Sequence, residues 1–294
     1  MNRPFAKADG RLVFYRGLRW RRSAIGLYFP RTLAGELAIM SQRGIVPVDQ
    51  LWLSIRREAE SVLASDPMFG ASVSAAILDH RDFGGALSHQ IGERLGWNTA
   101  DRQRYARIAG EVFQASADLV DAASRDLQSI VANDPARPAL LPPLLNFKGF
   151  IALQAWRVSN WLWRQDRIDL ALLLQSLSSD SLQVSIHPSA SIGTSVFLDH
   201  GTGVIVGAFA VIGDEVTFMQ NVTIGRKRAL PGRAPRIGRG VYLSSGATIL
   251  GDISVGDYAK IGAGCVVEND VPSGCTAVGV PARLTNCPEP GIPA

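Results

Sequence analysis

Aliphatic residues return every six positions through the C-terminal part of this chain, and that period limits what it can fold into more than any other feature. Ile186, Ile192, Leu198, Val204, Ala210, Val216 and Val222 are six apart, and the series resumes at Ile237, Leu243, Ile249, Val255, Ile261 and Val267. Neither the 3.6-residue period of a helix nor the alternation of a half-buried strand produces this spacing. Small residues such as Ala190, Thr202, Ala208, Ala247, Ala259 and Cys265 stand four positions after many anchors, and glycines gather at the turns between them. A hexapeptide period of this kind predicts a parallel β-helix. Short strands form the walls of a prism, coils stack about 4.8 Å apart, and the anchors fill the interior as ladders. One coil buries too little surface to stand alone, so the repeats must stack.

Between Val222 and Ile237 the phase slips at "GRKRALPGRAPR", which carries Arg226, Lys227, Arg228 and Arg233 before Pro235. Its glycines and prolines cannot sit in a wall, so it is expected to project as a loop. Loops on rigid repeats often carry function, and this one is either an arm over an anionic ligand or a solvated bulge.

Upstream of the repeat the period is helical, from about Pro47 to Val184. Leu51, Ile55, Ala59 and Val62 fall on one face, with Asp49 as a capping candidate. Tyr105, Ile108, Val112, Ala115 and Leu119 form a second apolar face after Thr99, a candidate N-cap. Ile151, Ala155, Val158 and Leu162 form a third. The prolines of "ANDPARPALLPPLLNFKGF" force the chain to turn between the last two.

The chain has 294 residues, 47% of them apolar, which is enough for one large core or two ordinary ones. No stretch is long and apolar enough to span a membrane and no compact signal core opens the chain, so the expectation is a soluble, cytoplasmic protein without membrane contact. Part of the net charge of +4 comes from Arg11, Arg16, Arg19, Arg21, Arg22 and Arg31. That stretch is read as a solvated extension; nucleic acid, an anionic membrane or an acidic partner are its alternatives, with nucleic acid disfavoured. Cys265, Cys275 and Cys287 have neither metal nor redox-motif spacing and are expected to be reduced structural thiols.

Of the four histidines, His80 and His89 sit in helical sequence, and His187 precedes Pro188 where the repeat begins. His200 stands beside Asp199 inside the repeat. An imidazole accepts and returns a proton near neutral pH, which activation of a hydroxyl or amine nucleophile requires. The carboxylate can hold the cation of an incoming amino acid. Alternation along a wall means that the two side chains cannot both enter the prism. A three-histidine zinc site needs one more histidine than the repeat region supplies, so no metal is expected.

The helical half followed by "LDHGTGVIVG", "PRIGRGVYLSSGATILGDISVGDYAKIGAGCVV" and "GVPAR" resembles serine O-acetyltransferase, a hexapeptide-repeat enzyme of cysteine biosynthesis. The likeness runs from about Leu51 to Arg283 and includes "DPARP", "PLLNFKGFIALQAWR" and "IHPSASIG". It implies an α+β chain in which an all-helical domain precedes a left-handed β-helix. It also implies a homotrimer or a dimer of trimers, with acetyl passing directly from acetyl-CoA to the L-serine hydroxyl. The resemblance implies that His200 is the general base, that Asp199 and Asp134 bind serine through its ammonium, and that Arg233 pairs with its carboxylate. Ser245, Lys260, Gly262 and Ala263 lie where acetyl-CoA would run between subunits, with Arg283 near its phosphates. The corresponding domains are a basic extension (1–46), a helical domain (47–184), the β-helix acyltransferase domain (185–283) and a tail (284–294).

The chain departs from the family pattern at four places. Ser185 replaces the aspartate that supports the histidine, and Ala234 replaces a loop histidine. Ala208, followed by Phe209, replaces a glutamate. The ending "GIPA" lacks the terminal isoleucine that docks into cysteine synthase, so that complex is not expected. The readings are therefore a serine acetyltransferase, an acetyl-CoA-dependent enzyme for another small hydroxyl or amine acceptor, or a weakened homologue with a binding role.

Overall fold

The computed structural model describes residues 45–136, 138–227 and 233–288. The arginines from Arg11 to Arg31, Arg228 of the loop and the final residues "GIPA" lie outside them.

The helical domain is built from α1 (Val48–Ser65), α2 (Pro67–Val73), a π-turn (Ser74–Leu78), α3 (Phe83–Leu95), α4 (Thr99–Ala115), α5 (Ala117–Asn133), α6 (Leu141–Asn146), α7 (Lys148–Arg164) and α8 (Ile168–Leu182). Leu51, Ile55 and Ala59 are buried on α1 as its period predicts, but Pro47 holds the cap position and Asp49 lies within the first turn. At α4 the cap is Asn98, whose side chain accepts from the Asp101 N–H, and not Thr99. Leu119 belongs to the next helix, because Ser116 breaks the run. The proline-rich stretch turns and then forms α6. Pro142 and Pro143 occupy its first turn, where no intrahelical N–H is needed.

Past Gln183 the chain coils into a parallel β-helix with three walls. One contains β1 (Val184–Ile186), β4 (Val204–Val206), β7 (Thr223–Gly225), β10 (Thr248–Leu250) and β13 (Val266–Val267). The second contains β2 (Ser191–Ile192), β5 (Val211–Ile212), β8 (Arg236–Ile237) and β11 (Ser254–Val255). The third is ordered β3 (Phe197–Leu198), β6 (Thr217–Phe218), β9 (Tyr242–Leu243), β12 (Lys260–Ile261), β14 (Thr276–Val278), β15 (Arg283–Thr285). Register between coils is in phase, as in Val184 opposite Val204 and Ile249 opposite Ile224. Every anchor of the six-residue series is buried, and so are Ala190, Ala247, Ala259 and Cys265. Thr202 and Ala208 are half-buried, being at corners and not on walls.

Helix α7 is buried nearly all round, which fits a helix between two bodies and not on one surface. Its Trp156 indole N–H donates to the His187 carbonyl, and Asn160 donates to the carbonyls of Pro188 and Ala190. A further join is ionic. Asp126 of α5 accepts from Arg157 Nε at 3.0 Å and Nη2 at 2.7 Å, from Gln154 Nε2 at 3.1 Å and from the Val196 N–H at 3.0 Å. Arg157 also donates to the Gly193 carbonyl, so this buried pair latches α5 and α7 onto the second wall and its turn.

The cysteines differ from expectation. Cys275 and Cys287 form a disulfide, while Cys265 is a free, buried thiol. The reason is topological: β15 reverses direction and pairs antiparallel with β14, which returns Cys287 to the residue preceding β14.

Candidate active site

Asp199 and His200 occupy the corner where the chain leaves β3 and turns toward β4. The corner is forced by local backbone geometry. Asp199 N–H donates to the Phe218 carbonyl of the coil below, His200 takes a positive φ of 59°, and Gly201 follows at 73°. Positive φ is uncommon outside glycine, and here it turns His200 outward from the wall. Gly203 suits this turn because its φ of 72° is strained for any other residue, and its missing side chain leaves room for Asn221 Oδ1. Gly149, at the start of α7, likewise leaves room for the Leu198 carbonyl. The helix therefore abuts the strand immediately before Asp199.

Neither acidic nor imidazole group enters the prism. The His200 side chain is 68% exposed and that of Asp199 21%. His200 Nε2 lies 3.7 Å from Asp199 Oδ1, beyond hydrogen-bond length but close enough for charge pairing once the ring is protonated. Partial burial pushes the Asp199 carboxyl above the usual range; His200 opposes this shift and Asp134 adds to it. Asp134, the residue capping the end of α5, thus contributes its field to the same corner. It is fixed there by an Asx turn, accepting the Ala136 N–H at 2.7 Å. Asp126 lies on the same helix, and its buried pairing with Arg157 of α7 anchors the helix that ends at Asp134.

The corner repeats coil by coil. The Asn221 N–H donates to the Thr202 carbonyl, Gly246 N–H to Gln220, and Gly264 N–H to Ser245. Ser245, Gly262 and Ala263 consequently stand in one file below His200, on the turns after β9 and β12. The coil of Gly262 is three steps down, or about 14 Å at about 4.8 Å per coil. Lys260 is exposed on β12, and Arg283, exposed on β15, ends the file. This brings six of the residues anticipated from sequence, His200 with the five expected cofactor contacts, onto one edge of the prism.

Arg233 is not on that edge. It lies on the loop between β7 and β8, at a different corner, with Nε 3.9 Å from Asp252 Oδ2. The loop's Lys227 pairs with Glu268 at 2.9 Å. Ala234 is buried, and Arg226 lies over the Phe209 ring at 5.6 Å. Ser185 accepts a hydrogen bond from Gln175 Nε2 of α8 at 3.2 Å. Its preceding residue, Val184, packs beside Gly201 of the His200 turn. His187 is engaged structurally: its Nδ1 accepts the Ser189 N–H, and its ring meets Trp163 edge-on. Gln175, Gly149 and the Asp126–Arg157 latch were not singled out from sequence. Only Asp126 left a trace there, as an acid in step with Ala122, Ala123, Leu127 and Ile130, all buried on α5.

Among the described residues no three histidine, cysteine, aspartate or glutamate side chains cluster as a metal site, and no helix is long and apolar enough to cross a membrane.

A helical domain joined to a hexapeptide β-helix, with an exposed imidazole at the head of one prism edge, is the architecture of a hexapeptide-repeat acyltransferase. Residues 51–155 match the model described as serine acetyltransferase, N-terminal, and residues 234–269 match bacterial transferase hexapeptide (six repeats). A serine acetyltransferase of Salmonella typhimurium is 40% identical over 253 residues, covering 85% of this chain and 93% of that protein. A solved serine acetyltransferase in complex with CoA superposes with a TM-score of 0.79 at 40% identity, covering 81% of this chain and all of that one. A soybean serine acetyltransferase complexed with serine gives a TM-score of 0.78 at 41% identity, covering 80% and 98%. The chain belongs to the serine acetyltransferase family.

Proposed function

We propose that the protein transfers acetyl from acetyl-CoA to the hydroxyl of L-serine, in the cytoplasm and as a step of cysteine biosynthesis. His200 takes the hydroxyl proton as the serine oxygen attacks the thioester carbonyl. The tetrahedral intermediate collapses, the CoA sulfur leaves with its electron pair, and the imidazolium returns the proton to it. Asp199 holds the imidazolium by charge, and with Asp134 it attracts the serine ammonium. Acetyl-CoA lies along the edge past Ser245, Gly262 and Ala263, with Lys260 and Arg283 toward its phosphates. The observation that carries this reading is an exposed His200 paired with Asp199 at the head of that file. Because Arg233 stands on another corner, its contact with the serine carboxylate requires a neighbouring copy packed edge to edge. We infer a trimer, or a dimer of trimers, for that reason.

A second acceptor has support from a particular corner. Ala208 stands where the family carries a glutamate, and beside it is the large Phe209 with Arg226 over its ring, so an acid is lost next to bulk and positive charge. That change favours an acceptor of a different shape or charge. The test is release of free thiol from acetyl-CoA with L-serine and a panel of amino acids and amino alcohols. Activity with serine that falls by about 10² to 10⁴ in His200→Ala, with acetyl-CoA binding retained, supports the assignment. Activity on another acceptor alone selects the second reading, and binding without turnover removes both.

A further inference from the structure

Strand β15 closes the open end of the third wall, yet buries almost nothing in doing so. Its three residues, Arg283, Leu284 and Thr285, are all exposed. It is held by the antiparallel ladder to β14, by the Ala282 N–H donating to Val266 at 2.9 Å, and by Thr285 Oγ1 donating to the Thr276 carbonyl at 3.3 Å. As the edge strand of the six-stranded wall, β15 pairs on one side only, and none of its side chains adds a packed face to that ladder. What remains is covalent: the Cys275–Cys287 bond ties the far end of β15 to the residue before β14 and encloses Arg283 within its 12-residue separation. Cys275 is 1% exposed, whereas Cys287 is exposed.

We propose that Cys275–Cys287 is a thiol–disulfide exchange site whose reduction frees β15 and weakens acetyl-CoA binding. This rests on the reading of Arg283 as a cofactor contact. The reductant is a small dithiol. Its thiolate attacks the accessible Cys287 sulfur, the S–S bond breaks, and Cys275 leaves with the electron pair and takes up a proton. The second dithiol sulfur attacks the mixed disulfide, releasing Cys287 as thiol and leaving the reductant as a cyclic disulfide. Two electrons thus pass from the dithiol to the protein. Without the tie, only the β14 ladder and the small, partly buried Ala282 keep Arg283 at the end of the edge. A thiol-rich environment would then slow an enzyme whose product feeds thiol synthesis.

The experiment uses the full chain, oxidised or reduced with dithiothreitol that is afterwards removed under argon. Acetyl-CoA is titrated calorimetrically in each form; as a thioester it carries no free thiol to reduce the bond. Alkylation after unfolding is expected to count one thiol in the oxidised protein and three in the reduced one. The Kd should rise about tenfold on reduction if the released strand is docked about a tenth of the time. Cys287→Ser should show the weaker Kd in both conditions, with circular dichroism confirming its fold; if it misfolds, the reduced wild type carries the comparison. Three thiols persisting after oxidation, or equal Kd values in the two forms while Arg283→Ala still weakens binding, overturns the proposal alone. No loss of affinity in Arg283→Ala overturns the cofactor reading and this proposal with it.

Discussion

Arg157→Met isolates the join between the two domains. The wild-type guanidinium is 4% exposed and the Asp126 carboxylate 0%, so removing the arginine strands a carboxylate out of reach of water. Two donors remain to it, the Val196 N–H and Gln154 Nε2, while both guanidinium bonds vanish. Removing one partner of a buried pair costs about 3 to 5 kcal/mol. The methionine stem replaces part of the arginine's apolar packing, so most of this cost is electrostatic. Adding Asp126→Leu removes the stranded charge, and the double variant is expected to recover at least half of the loss. The assay is guanidinium denaturation of wild type, both single variants and the double variant at one protein concentration, since assembly adds to apparent stability. The latch also anchors the helix that ends at Asp134, so the surviving single variants should bind serine more weakly than acetyl-CoA. A loss below about 1 kcal/mol in Arg157→Met, or strictly additive losses in the double variant, would refute the view of this pair as a coupled latch.

Other outcomes follow from the site and its supports. Ser185→Asp should raise kcat by about tenfold, well short of the about 10⁴ an orienting carboxylate supplies in a catalytic triad; an unchanged or lower rate counts against His200 as base. Asp199 has a raised carboxyl pKa, so as pH falls it takes up a proton early and would lose the hold on the serine ammonium proposed for it. In Asp199→Asn the acid limb of kcat/KM should become shallower by one proton, and an unaltered slope contradicts that role. Glu58 accepts the Leu140 and Leu141 N–H groups at 3.2 and 2.8 Å, and burial raises its carboxyl above the ordinary 4.5. The folded state then holds a proton that the unfolded chain releases, so stability falls as pH rises from about 4.5 through the raised folded value. Glu58→Gln should lack that decline in urea melts taken across pH 4 to 7.

The β-helix was legible because its period is enforced by the prism itself: an anchor out of step would put an aliphatic side chain outside or a polar one within. Period says less about ends. Asp49 and Thr99 were plausible caps by residue type, but Pro47 and Asn98 took those places, and Leu119 continued the spacing across Ser116 into another helix. Candidate site residues could be found where chemistry and motif coincided, as at His200 and Asp199. Arg233 could be named, but its corner depends on how ten loop residues span β7 to β8. The Cys275–Cys287 pairing was hidden for a similar reason. It depends on the reversal of β15, and the three parallel walls gave no hint of a strand running the other way.

The proposed catalytic edge is a consequence of the corners more than of the walls. Wall side chains alternate between a filled interior and an outer surface, so a wall can present one group per coil but not a continuous trough. At the corner after β3 the positive φ of His200 turns its ring outward; Met219, Gln220 and Asn221 follow in the next coil, and below them, after β9 and β12, stand Ser245, Gly246, Gly262, Ala263 and Gly264. Small residues there leave room beside a file whose vertical spacing the backbone hydrogen bonds fix. On the proposed reading, holding a long cofactor at the lower coils would set the height of its thioester relative to His200, without a contact at the reacting carbonyl. Proximity of this kind is worth several kcal/mol only if both ends are rigid. The latch at Asp126 and the close seat of Gly149 on Leu198 stiffen the upper end. The strand carrying Arg283, with no buried side chain, is left to a covalent bond at the lower one.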